Sequence, residues 1–198
     1  MNKVILATRN KGKIKEFMTL LAPFPIQPIS AYDLTEPIEV VEDAHTFAGN
    51  AEKKALAYLK HTGLPALADD SGLAVDFLDG KPGVHSARFA GDNATDAENN
   101  IKLINLLDGV PAEKRTAQFT SAIALALPDG QLYTVEGKCH GIITREQTGD
   151  RGFGYDPLFF VPEINKTYAQ MGDEQKNRIS HRAIAIQKLR RILESIWG

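Results

Sequence analysis

Carboxylates stand at two places in this sequence where they could act together. "ADDSG" (68–72) puts Asp69 and Asp70 side by side among apolar neighbours, and "EVVEDAH" (39–45) offers Glu39, Glu42 and Asp43 just ahead of a helical stretch. Adjacent residues of an extended chain point to opposite faces, so the two aspartates divide their roles and one of them faces a site. A divalent ion bound to a polyphosphate needs only one or two protein carboxylates, the remaining positions going to water and phosphate oxygens. Glu42 with one of the aspartates meets that need. The plainer alternatives are a solvated turn at Asp69, Asp70 and Ser71, and ordinary helix-dipole partners at 39–43.

Three further stretches supply what would face such acids. "ILATRNKGKIKEF" (5–17) passes from an apolar strand through a turn bearing Arg9, Lys11 and Lys13 into a helical apolar rhythm. Strand, tight turn and helix start together expose backbone N–H groups and the positive end of the helix dipole, which favour an anion. Thr8 and Asn10 add hydrogen-bonding groups there, and Gly12 lets the backbone come close. The run carries neither G-x-x-x-x-G-K-[ST] nor G-x-G-x-x-G, so a phosphate at this turn is held by another design. "RGFGYDP" (151–157) sets Phe153, Gly154, Tyr155 and Asp156 in a rigid loop that shows its rings to a flat ligand, against the usual fate of such rings as core. "KNRISHRA" (176–183) gathers Lys176, Arg178, His181 and Arg182 at the start of the last helix, where positive charge opposes the dipole and calls for an acceptor.

The elements that must position these groups follow from periodicity and punctuation. Lys3 to Ala7 forms a strand, and Ile14, Phe17, Met18 and Leu21 recur at helical spacing up to Pro23. A second helix runs from a Thr46 cap to a Gly63 stop, with Phe47, Ala51, Ala55 and Leu59 on one face. Residues 65–78 read as β-structure, Leu73, Val75 and Phe77 alternating, and a third helix spans Asp96 to Leu107 behind Thr95. Long strands on either side of Pro128-Asp129-Gly130 form an antiparallel hairpin, and a last helix buries Ala183, Ile186, Leu189, Leu193 and Ile196. The expected fold is α/β, a mixed sheet with helices packed on it, in one domain over 1–198 with a bilobed outline.

Composition narrows the function. The chain has 198 residues, 43% of them hydrophobic and 24% charged, with a formal net charge of −2, so a substantial core is expected and a global pull toward nucleic acid or anionic membrane is not. Cys139 stands alone, which excludes an internal disulfide framework. No apolar run reaches the ~18 residues of a membrane span, and the start is too short in apolar residues for a signal peptide, so a cytoplasmic setting is expected.

"TRNKGK" (8–13), "ADDSGL" (68–73), "PGVHSARFAG" (82–91), "GFGYDPLF" (152–159) and "SHRA" (180–183) resemble, in order and over almost the whole chain, the motifs of the inosine triphosphate pyrophosphatase family, the ITP/XTP or dITP pyrophosphatases. That resemblance implies Mg²⁺-dependent hydrolysis of ITP, dITP and XTP to the monophosphate and pyrophosphate, which cleanses the nucleotide pool. It also implies a homodimer, and an elongated mixed sheet with an active cleft between two lobes. Carried over by motif, Thr8, Arg9, Asn10, Lys11, Gly12 and Lys13 hold the triphosphate and Lys54 faces it from the second helix. Asp70 is the general base and a magnesium ligand, Glu42 the second acidic ligand, and Ser71 touches the substrate. Phe153, Gly154, Tyr155 and Asp156 enclose base and sugar, and Lys176, His181 and Arg182 complete the base pocket. In "TFAGNAEKKA" (46–55) Gly49 stands where the family pattern has an acidic residue just before Asn50.

The chemistry of those residue types agrees. Attack of water at the α-phosphorus needs a carboxylate base, a metal on the phosphate oxygens, and cations to take up charge on the leaving pyrophosphate, which Asp70, Mg²⁺ and Lys13 would supply. Donors aimed at a purine 6-oxo group, with His181 and Arg182 as candidates, reject adenine because its 6-amino group brings donor against donor. Two other functions stay open at this point: a pyrophosphatase for modified pyrimidines, and a module that grips nucleotide or RNA phosphates without chemistry.

Overall fold

Local signals place the elements that hold the candidate residues. The computed structural model describes residues 2–34, 36 and 38–198. Strand β1 (Asn2–Leu6) ends in three buried residues and leads through the turn at 8–10 into helix α1 (Lys11–Leu21), which Asn10 caps by accepting the Lys13 N–H at 3.0 Å. After β2 (Ile26–Ser30), helix α2 (Phe47–Thr62) starts at Thr46, whose hydroxyl accepts the Gly49 N–H, and stops at Gly63, where φ is +68°. Strand β3 (Ala66–Val75) precedes helix α3 (Asp96–Leu106), whose start is a reciprocal capping box between Thr95 and Glu98. Two long strands, β4 (Thr116–Ala126) and β5 (Leu132–Ile143), meet at a turn closed by the Leu127 N–H on the Gln131 carbonyl. Short strands β6 (Phe159–Val161) and β7 (Lys166–Thr167) and helices α4 (Asp173–Ile179) and α5 (His181–Trp197) complete the chain.

The seven strands form one sheet in the order β2-β1-β3-β4-β5-β6-β7. It is mixed: β1 runs parallel to both β2 and β3, while β6 is antiparallel to β5 and to β7. The chain divides into two compact units, and β3, β4 and β5 contribute residues to both. The first unit comprises the residues up to Asp70, Ser121–Gly137 and His181–Gly198; the second comprises Ser71–Thr120 and Lys138–Ser180. In the first, Val4, Leu6, Phe17, Ile123 and Leu189 build one apolar cluster, and Ile5 of β1 with the alanines of α2, β3 and β4 another. The second has its own core, in which the rings of Phe119, Phe159 and Tyr168 lie 4.7–5.7 Å apart. Among the described residues no helix is long and apolar enough to cross a membrane.

Three details differ from the expectations. The alternation of β3 stops at Val75, and Phe77 lies in a 3₁₀ turn with 49% of its surface exposed. The "DDSG" run is no solvated turn, because Asp69 and Asp70 sit in the middle of β3 with 1% and 7% exposure. "KNRISHRA" is not one helix start either: Ser180 adopts extended backbone, so Lys176 and Arg178 close α4, where their charge suits the dipole, and only His181 and Arg182 open α5.

The start of α5 is set by a bare strand backbone. A Cβ on Gly137 of β5 would stand 2.1 Å from the His181 carbonyl oxygen and 2.4 Å from the Ala185 nitrogen, so helix and strand touch there main chain to main chain. Gly137→Ala must push α5 off β5 and is expected to cost about 1–3 kcal/mol; urea unfolding measures it, and an unchanged midpoint with unchanged slope contradicts the close contact.

Candidate active site

Two consecutive carboxylates of β3 face opposite surroundings, as the pleat requires. Asp69 accepts hydrogen bonds from the Ser121 hydroxyl of β4, from Lys13 Nζ of α1 at 2.8 Å and from Arg182 Nη2 of α5 at 3.0 Å. Arg182 is fully buried, binds Glu16 through Nη1, and lies over the Phe17 ring with its guanidinium carbon 5.6 Å from the centroid. Burial pushes the Asp69 carboxyl up, but the charges of Arg182 and Lys13 and the hydrogen bonds of Lys13 and Ser121 outweigh it and hold the group well below the usual carboxylate range.

Asp70 has weaker company. Its Oδ2 accepts from Asn50 Nδ2 at 3.1 Å, and its Oδ1 lies 3.5 Å from Lys54 Nζ, which also donates to Glu42 Oε2 at 2.8 Å. Burial raises the Asp70 carboxyl; Lys54 and Lys13 pull it down only in part, while Glu42 adds a like charge, so the net shift is upward. Lys54 is affected in the opposite sense: burial disfavours its ammonium, yet Asp70 and Glu42 together raise its pKa and keep it charged. Neighbouring carboxyls whose environments drive their pKa values apart are the usual mark of divided roles, one a fixed anion and the other a group able to take a proton.

The turn ahead of α1 is tied by its own side chains. Thr8 Oγ1 accepts the Asn10 N–H at 3.2 Å, and the Tyr32 hydroxyl donates to the Arg9 carbonyl at 2.8 Å, with the Arg9 guanidinium over the Tyr32 ring. Asn10 caps Lys13, so the N–H groups of Lys11 and Gly12 are those of the first turn that have no intrahelical acceptor to use. On α2, a Cβ at Gly49 would stand 2.9 Å from the Ala44 Cβ and 3.2 Å from Thr46 Oγ1, so the small residue fits a tight capping turn. That turn holds Asn50, whose Oδ1 accepts the Ala44 N–H at 2.9 Å.

In the second unit the glycine loop is built on a buried ion pair. Lys176 Nζ donates to Asp156 Oδ2 at 2.6 Å, the same oxygen accepts the Phe153 N–H at 2.9 Å, and the ammonium sits 4.9 Å from the Phe153 ring centroid. A Cβ on Gly152, where φ is +79°, would collide with Asp156 Oδ2 at 1.9 Å. Phe153 is half-buried, but Tyr155 is not displayed: it belongs to the core, and its hydroxyl donates to the Ser86 carbonyl at 2.8 Å. Burial and Asp96 push the Tyr155 phenol pKa far up.

Known proteins place this chain. The model of the Ham1 family matches residues 4–192. The chain belongs to the Ham1 family. A relative from Desulforamulus reducens named "dITP/XTP pyrophosphatase" is 53% identical over 98% of this chain and 97% of its own length, and one of the same name from Bacillus subtilis is 44% identical over 98% of each. The solved structure of a HAM1 protein from Coxiella burnetii matches with a TM-score of 0.88 at 40% identity, covering 98% of this chain and 100% of that one.

Within this Ham1 chain, Lys13 reaches Asp69 and the group of Glu42, Lys54 and Asp70 comes together in the first unit; Phe153, Asp156 and Lys176 come together in the second. Ser71 is half-buried in β3, His181 is buried in the first turn of α5, and Arg182 is committed to Asp69 and Glu16. Reasoning from sequence passed over Glu16 and Ser121, and gave Asn50 no role; the one available signal was that Asn50 and Lys54, four apart, share a face of α2.

Removing the charge of Asp69 leaves Lys13 and Arg182 without their buried partner, so Asp69→Asn is expected to cost about 3–5 kcal/mol in chemical denaturation. Because folding lowers the Asp69 pKa, its stabilisation is complete above the unfolded value of about 4 and fades as pH falls toward the folded one. The stability of the native chain should therefore drop on acidification more steeply than that of the variant; parallel curves would contradict the assignment.

Proposed function

We propose that the protein hydrolyses the deaminated purine nucleoside triphosphates ITP, dITP and XTP to nucleoside monophosphate and pyrophosphate, and so cleanses the nucleotide pool. The observation that carries this is the pair of carboxylates, Glu42 and Asp70, converging on one ammonium while the neighbouring Asp69 holds Lys13 at a helix start. A phosphate-binding module without chemistry has no use for two converging acids, which repel its ligand.

The donor set fits Mg²⁺. Glu42 Oε2 and Asp70 Oδ1 are hard oxygens directed at a common cation, Lys54 Nζ, and two carboxylates are what an ion shared with a polyphosphate takes from protein. Glu42 and Asp70 would hold Mg²⁺, which would supply Lewis-acid polarisation of the phosphate oxygens. Asp70, raised by burial and by Glu42, accepts the proton of the attacking water. The N–H groups of Lys11 and Gly12, with Thr8, Asn10 and Lys13, hold the phosphates, and Lys13 and Lys54 balance charge on the departing pyrophosphate. Phe153 stacks on the base, and Lys176 and His181 are the donors proposed to select a 6-oxo group. Arg182, fully buried, acts behind Asp69 rather than on the base. The same reading carries a homodimer, checked by light scattering, and a cytoplasmic location.

Incubation with Mg²⁺ and ITP, and separately with GTP, should release pyrophosphate rapidly from ITP alone; orthophosphate as the product overturns the proposal. Asp70→Asn should lower kcat by about 10²–10⁴ while nucleotide still binds. Since Asp70 must be ionised to act, kcat/KM should rise with pH through an acidic limb, and this limb should vanish from the residual activity of the variant.

A further inference from the structure

We propose that Asp96 and Asn100 of α3 are positioning residues for base recognition, clamping the Gly154 peptide from both ends and so fixing where Phe153 stands. The clamp deepens the proposal that Phe153 stacks on the base, and rests on it. Asp96 and Asn100 are four residues apart and lie one above the other on the helix face. Asp96 Oδ2 accepts the Gly154 N–H at 2.6 Å, and Asn100 Nδ2 donates to the Gly154 carbonyl at 2.9 Å. Both polar groups of a single loop residue are thus held by two side chains of one helix. Gly154 has φ of +61° with nothing within 4 Å of where a Cβ would be, so conformation, not crowding, demands glycine there, and the clamp selects that conformation.

The same helix holds the neighbouring segment. Asn99 accepts the Ala90 N–H at 2.8 Å and donates to the Ala87 carbonyl at 3.1 Å, which fixes the run from Pro82 to Gly91 that the Tyr155 hydroxyl also grips at Ser86. Stability alone does not explain Asn100. It is 2% exposed, and its Oδ1 finds no hydrogen-bond donor among the described residues, an arrangement that opposes folding. What the side chain gains in return is its hold on Gly154.

The test compares ITP hydrolysis and thermal midpoints of Asn100→Leu, Asp96→Ala, Asp96→Asn, Phe153→Ala and the double variant Asn100→Leu/Phe153→Ala. Asn100→Leu and Asp96→Ala should each raise KM about fivefold or more with kcat within about twofold, and Asn100→Leu should not lower the midpoint. Asp96→Asn, which keeps an oxygen acceptor, should stay near the native KM. The double variant should be no worse than Phe153→Ala alone. If Phe153→Ala raises KM and neither clamp variant does, or if the clamp variants lose only thermal stability, the clamp is refuted while stacking stands. If Phe153→Ala leaves KM unchanged, the stacking proposal falls and takes the clamp with it.

Discussion

A charge buried in the middle of a sheet has to be answered on every side, and Asp69 is that charge. Its carboxylate collects a hydroxyl from β4, an ammonium from α1 and a guanidinium from α5, three elements far apart in sequence. An ionised group at this depth is tolerated only when paired and hydrogen-bonded, so the four elements have one arrangement in which none of these groups is stranded. Lys13 gains most from it. A lysine on an open helix start would swing freely on its four-carbon stem; here its ammonium is anchored beside the turn that offers backbone N–H groups. Arg182 completes the chain of charges through Glu16, so the first turn of α5 braces the second turn of α1.

Asp70 shows the opposite economy. Its partners are an amide and a lysine shared with Glu42, enough to keep it ordered but not enough to lower its proton affinity. The contrast arises from one residue of chain: the strand alternates, one face meets three strong donors, and the other meets an amide and a shared ammonium. The second unit repeats the device, with the Lys176–Asp156 pair fixing the loop backbone while the Phe153 ring stays half-exposed.

Where the sequence was legible, a local chemical signal existed. Thr46 and Gly63 bracket α2 and Thr95 opens α3, each through hydrogen bonds spanning three or four residues. The opposite facing of Asp69 and Asp70 was also readable, since it follows from extended backbone alone. Depth was not: "DDSG" has the composition of an exposed turn, and nothing nearby announces that Ser121 and Arg182 come to bury it. Asn50, Ser121, Asp96 and Asn100 stayed silent because their partners lie 20, 52, 58 and 54 residues away, distances over which only the fold decides contact. Tyr155 misled for a related reason: glycines beside a ring suggest display, yet its hydroxyl has a carbonyl to reach inside the core. The break at Ser180 escaped notice because serine there ends one helix without any glycine or proline to mark it.

The division of labour between the two aspartates hangs on how β3 is aligned with β1, where Ile5 lies opposite Ala66 and Leu6 opposite Leu67. Sliding that strand by a single position would turn every side chain to the other face. Neither carboxylate would then keep the partners it has now: Asp69 would lose Lys13, Arg182 and Ser121, and Asp70 would lose Asn50 and Lys54. A residue added to or removed from β3 ahead of Asp69 therefore disturbs both carboxylates at once, whereas one added in the loop at 63–65 can leave the alignment as it is.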